Sequence, residues 1–100
     1  MQKWIYALPL LALAWGHQVK AADIEAGKAK ATVCVACHGV DGKASVPVYP
    51  HLAGQNAAYL LKQMKAFKEG SRTEPLMAPF MAMLNEADME NLAAYYASLK

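Results

Sequence analysis

Cys34-Val35-Ala36-Cys37-His38 constrains this chain more than any other stretch, and it holds both of its cysteines. Each thiol can add across one vinyl group of a haem to form a thioether, and two intervening residues give the backbone the span between the vinyls. A histidine directly after the second cysteine then falls beneath the iron, where it can serve as an axial ligand. The motif thus points to a cofactor, a covalent linkage and a metal ligand together. Other uses of the same residues fit less well. A structural zinc site needs four ligands, usually with a second Cys or His pair at short spacing, whereas the remaining histidines are His17 and His51. A thioredoxin-like redox pair needs a βαβ context, and no strand-rich α/β pattern is present. A disulfide is open to a chain in an oxidising compartment, but so small a loop restrains little of the unfolded chain.

The N-terminus predicts export. Gln2-Lys3 gives a short basic start, Trp4 to Trp15 is almost wholly apolar, and Val19-Lys20-Ala21 offers the residues a signal peptidase reads. The apolar run of about a dozen residues is short for a membrane span of roughly 20, and Pro9 interrupts it. Residues 1–22 are therefore expected to be a cleaved secretory signal, and 23–100 a single domain. Thioether attachment in bacteria takes place outside the cytoplasm, so the motif and the leader agree, and they imply a periplasmic location.

A domain of this size buries a marginal core by itself and usually needs a staple. A haem is a large apolar plate fixed at three points, so it can supply that core, and the haem-free chain is expected to be largely unfolded. The chain has ten Lys and Arg against eight Asp and Glu; Lys3 and Lys20 lie in the leader, which leaves eight of each. Such a balance gives no case for nucleic-acid binding.

Along the mature chain, Asp23 is expected to cap a first helix running toward Cys34, with Ile24, Gly27 and Ala31 at helical spacing. A glycine inside that helix suggests close approach of another element. Gly39 to Gly54, with Pro47 and Pro50, predicts an irregular loop around one haem edge. Asn56 should start a second helix ending at Gly70, with Leu60, Met64 and Phe67 on one face and Lys62, Lys65 and Lys68 on the other. Ser71 to Leu84 reads as a second irregular stretch, punctuated by Pro75 and Pro79 and rich in methionine. Asn85, with Asp88 three residues on, forms a capping box for a last helix whose buried face is Met89, Leu92, Ala93, Tyr96 and Leu99. The fold class is all-α: three to four short helices wrapped around one covalently bound haem.

If His38 holds one face of the iron, the state of the other face decides function. An open face permits O₂ or peroxide chemistry; a filled face leaves little beyond electron transfer. Met77, Met81 and Met83 are the candidates from the irregular stretch, while Met64 and Met89 fit apolar stripes and read as core.

These segments together resemble a class I c-type cytochrome: Cys34–Gly39 with Asp41-Gly42, Leu52-Ala53-Gly54-Gln55, Tyr59-Leu60 with Gln63 and Phe67, and Leu92-Ala93-Ala94-Tyr95-Tyr96. The likeness is to the small bacterial periplasmic branch that also builds the two-haem members, and it covers essentially all of 23–100. It implies that the axial methionine lies seven residues before the leucine that opens the last helix; from Leu84 that step leads to Met77. The ligand pair it implies is His38 and Met77, on a haem c bonded to Cys34 and Cys37. It further implies a crossing of the first and last helices, with Gly27 against Tyr95 or Tyr96, and a proline carbonyl that orients His38, for which Pro47 is the candidate.

The function expected is single-electron transfer with no small-molecule substrate. Partners would be transient redox proteins, with membranes met only through membrane-bound partners. Lys62, Lys65, Lys68 and Arg72 could form a basic strip that steers an acidic partner. The alternative keeps the haem and makes the chain the cytochrome subunit of a larger periplasmic oxidoreductase, flavin- or molybdenum-dependent. An open-iron enzyme or gas sensor fits less well, because no distal acid–base pair is evident and His51 is the only spare histidine of the mature chain.

Overall fold

The computed structural model describes residues 21–100, so the expected leader lies outside the described residues except for Ala21 and Ala22. Helix α1 spans Ile24–Lys30, and Asp23 caps it by accepting the Ala26 amide at 3.1 Å. It does not continue to the cysteines: the chain tightens into a 3₁₀ turn over Ala31–Val33 and resumes as the single turn α2, Val35–His38. Helix α3 spans Ala57–Glu69, with Asn56 as its N-cap and Gly70 closing it at φ +85°. Helix α4, Ala78–Ala82, is followed by α5, Glu86–Ser98. Among the described residues there is no strand, and no helix is long and apolar enough to cross a membrane.

Helix α4 corrects the expectation of an irregular stretch over 71–84. Pro79 falls in the first turn of α4, where its missing N–H would be unpaired in any helix and its fixed φ suits helical geometry. That proline begins a helix as readily as it ends one, so punctuation alone could not place it.

Helix α5 is the centre of the fold. Its start is fixed by a complete capping box: Asn85 Oδ1 accepts the Asp88 amide at 2.8 Å, and Asp88 Oδ2 accepts the Asn85 amide at 3.1 Å. The flanking pair Leu84 and Met89, one on each side of the cap, is buried. Met89, Leu92, Ala93, Tyr95 and Tyr96 form its buried face, while Leu99 is only partly covered. Against this face pack α1 and α3.

The α1–α5 crossing is made at Gly27. A Cβ there would lie 2.1 Å from the Asn91 carbonyl oxygen and 2.9 Å from Tyr95 Cβ, so only glycine lets the two backbones meet. The aromatic on Gly27 is thus Tyr95, which leaves Tyr96 turned elsewhere. The Asp23 amide adds a bond to Asn91 Oδ1 at 2.8 Å across the same junction. Ala31 is buried in the core, whereas Ile24, expected on the same face, is 44% exposed.

The haem-motif site

Helix α2 has one turn, and that turn carries the motif. Cys34 is its N-cap, and the Cys34 carbonyl accepts the His38 amide at 2.9 Å, so Cys34, Cys37 and His38 are held in one rigid loop of backbone. Gly39 ends the turn at φ +86°, and a Cβ at that position would sit 2.1 Å from the Lys43 carbonyl oxygen. The chain can therefore reverse directly after His38. Both thiols are free, partly covered, and face a common cleft.

His38 is buried, with 5% of its surface exposed. Its Nδ1 lies 2.8 Å from the Pro50 carbonyl oxygen. A carbonyl can only accept, so Nδ1 carries the proton and Nε2 is left as the basic nitrogen, the state a metal-binding imidazole needs. Pro50 corrects the expectation for Pro47. The loop is closed by the Leu52 and Ala53 amides on the Gly42 carbonyl, at 2.8 and 3.0 Å, and this closure carries Pro50 to the ring. His51 is exposed and accepts the Ala44 amide through Nδ1 at 2.8 Å, a loop-bracing role.

The cleft has a volume of about 550 Å³, within the ordinary range for cofactor sites. Leu60, Met64 and Phe67 of α3 and Leu92 of α5 line its apolar interior, and Gln55, Gln63 and Arg72 line its polar margin. Arg72 is held there by Gln63, at 2.6 Å, and stacks over the Phe67 ring. The three methionines of the second connection part company. Met77, at the N-cap of α4, is partly covered and faces the cleft; Met81 also reaches it but is 2% exposed and packed in the core; Met83 is 64% exposed and lies off the cleft.

Electrostatics at the motif follow from burial. Desolvation pushes the Cys34 thiol above its ordinary value, opposed by the neighbouring Tyr96 hydroxyl and reinforced by Cys37. Burial, followed by the Cys34 thiol, pushes the Tyr96 hydroxyl well above the usual phenol range. Burial therefore holds the Cys34 thiol and the Tyr96 phenol neutral. Helical spacing places Tyr96 on a buried face but does not show that the residue lines the cleft with its hydroxyl buried beside Cys34; it gives a residue's face but not the reach of its polar tip.

Three of the four cations of the basic strip have partners, but only Lys65 meets an opposite charge. Lys65 pairs with Glu86 at 2.5 Å, a hydrogen bond that raises its pKa, and Lys68 donates to the Leu84 carbonyl. With Arg72 tied to Gln63, only Lys62 of the four has no partner given to it among the described residues.

The residues present fit a haem. A thiol pair and an imidazole with a free Nε2 share a cleft with a thioether, and a largely apolar interior of cofactor size lies between the helices. This combination of a short all-α fold and a vinyl-reactive motif defines a haem protein of the c type. The chain belongs to the cytochrome c family, whose model, described as Cytochrome c, matches residues 24–100. It is 45% identical over 100 residues to cytochrome c4 of Pseudomonas aeruginosa, covering all of this chain and 50% of that relative. It is 44% identical over 81 residues to cytochrome c-554(548) of Halomonas halodenitrificans, covering 78% of this chain and 98% of that one. In structure it is similar to reduced recombinant cytochrome c4 from Pseudomonas stutzeri, with a TM-score of 0.76 and 44% identity over 80% of this chain and 47% of that one. The chain spans about half the length of the cytochrome c4 relatives it matches. As a member of this family it carries haem c, joined through Cys34 and Cys37.

Proposed function

We propose that the chain is a single-electron carrier whose haem c iron is held by His38 and Met77. The observation that carries this reading is the convergence of both motif thiols, a histidine with its Nδ1 committed to Pro50, and the Met77 thioether on one cleft. When bound, the haem supplies an iron that changes charge by one electron. The chain's own part would be to hold the iron with His38 and Met77, to exclude water with Leu60, Phe67 and Leu92, and to keep His38 in one tautomer. A thioether as second ligand raises the potential relative to two histidines and leaves no position for a substrate. No enzymatic step follows from such a site.

Export through residues 1–22 places the carrier in the periplasm, where its partners are redox proteins met transiently. Met77→Ala tests the ligand assignment. Loss of the six-coordinate, low-spin ferric spectrum and of its sulfur-to-iron charge-transfer band is expected, together with ready CO binding by the ferrous protein. Retention of both spectral features would assign the position to another side chain. Co-elution of the exported chain with a larger flavin- or molybdenum-dependent protein on size-exclusion chromatography would favour the subunit role instead.

A further inference from the structure

Tyr96 carries a hydroxyl that neither the core nor the ligand set explains. The residue is 4% exposed, with its ring 5.1 Å from that of Tyr95 and tilted by 58°. Its Oη is sealed from solvent and has no hydrogen-bond partner among the described residues. Leaving a buried donor unpaired costs on the order of 1–3 kcal/mol, and a phenylalanine would fill the same space without that cost. Buried tyrosine hydroxyls normally find a partner. Tyr96 and Cys34 both line the cleft, and the Cys34 thiol is a polar neighbour of the hydroxyl, close enough to perturb it but without a hydrogen bond between them among the described residues.

The chemistry of that sulfur changes when the cofactor is joined. A free thiol can donate or accept, weakly in both roles; a thioether has no proton and can only accept. The hydroxyl then has one available role toward it, as donor. We infer that Tyr96 is a positioning residue whose hydroxyl donates to the Cys34 sulfur and, through that sulfur, biases the haem toward its reduced form. This rests on the haem c reading above. The direction follows from electrostatics: the positive end of the O–H dipole points at an atom bonded to the ring, and the reduced state carries the extra electron that this dipole stabilises. Hydrogen bonding around the cofactor is one of the protein's levers on potential.

The test compares wild type, Tyr96→Phe and Tyr95→Phe as haem-loaded proteins, each checked for one haem per chain by the pyridine haemochrome assay. Midpoint potentials are then measured by redox titration. Tyr96→Phe is expected to lower the equilibrium preference for the electron about two- to fivefold, or about 20 to 40 mV for a one-electron couple. Tyr95→Phe, at a residue whose Cβ meets Gly27 and which lies off the cleft, leaves the potential in place. A purely structural role for the hydroxyl would alter melting without moving the potential. Equal potentials for wild type and Tyr96→Phe, with haem content intact, overturn the inference. Wild-type protein without haem would instead remove the reading beneath it, and the inference with it. If Tyr96→Phe accumulates no holoprotein, the wild type answers directly. Proton NMR of the ferrous form should show a slowly exchanging Tyr96 hydroxyl with a nuclear Overhauser effect to the Cys34 β-protons. Absence of that signal contradicts the assignment.

Discussion

Gly27→Ala separates tertiary packing from helix propensity, because the two predict opposite signs. By propensity alone, alanine inside α1 should stabilise by about 1 kcal/mol. By packing, its Cβ would stand 2.1 Å from the Asn91 carbonyl oxygen and 2.6 Å from its carbonyl carbon, where ordinary contact begins at 3.4 Å. Those atoms are backbone within α5 and cannot rotate away, so α1 would have to retreat by more than an ångström. The retreat would also stretch the 2.8 Å bond from the Asp23 amide to Asn91 Oδ1 and loosen Ala31 in the core. Overpacking of this kind costs about 1–3 kcal/mol, and a rigid neighbour puts this site at the upper end. With about 4–8 °C per kcal/mol for a domain of this size, the midpoint should fall by about 8–20 °C. The assay is thermal unfolding of the oxidised holoprotein, followed at 222 nm and in the Soret band. An unchanged or raised midpoint would refute the close-approach argument.

Further outcomes follow from the same contacts. Asn85→Ala removes one half of the capping box and should cost about 1–2 kcal/mol, read as a lower denaturant midpoint with an unchanged slope. Met83→Ala, at an exposed position off the cleft, should leave the visible spectrum and the potential of wild type intact. The pKa of Tyr96 is raised in the folded state, so the unfolded chain ionises first as pH passes about 10, and folding stability falls above that value. Tyr96→Phe lacks this loss; the stability of wild type relative to the variant should therefore decline between pH 9 and pH 11.5 in parallel urea titrations. Because Lys65 and Lys68 are engaged with Glu86 and Leu84, electron-transfer rates with an acidic partner should change little in Lys65→Gln, measured at low and high salt.

What could be read from sequence was set by chemistry acting within a few residues. Asp23, Asn56 and the Asn85–Asp88 box each bond amides no more than three positions away, so the residue types announced the helix starts. Gly70 marked its stop because a left-handed cap favours glycine. The motif was equally plain, since one helical turn supplies all its spacing. The remaining features depended on contacts between distant segments. Pro50 rather than Pro47 meets His38 because Gly42 clasps Leu52 and Ala53, a closure that no local signal encodes. Pro79 was ambiguous between stop and start, and tertiary packing of Met81 and Leu84 decided for a start. The lysine face of α3 looked free because its partners lie on α5 and just before it. Of the three neighbouring methionines, Met77 and Met81 both line the cleft and differ in burial, Met77 being partly covered and Met81 packed in the core, while the exposed Met83 lies off it; no local signal encodes that difference.

A potentiometric titration of the purified, exported protein, followed in the visible spectrum with and without CO, bears most directly on the whole account. One haem per chain should titrate with a one-electron slope of about 59 mV per decade, low-spin in both states, with bands that CO leaves unmoved. A high-spin ferrous form that takes up CO at neutral pH, or a preparation whose cysteines remain free thiols, would contradict it.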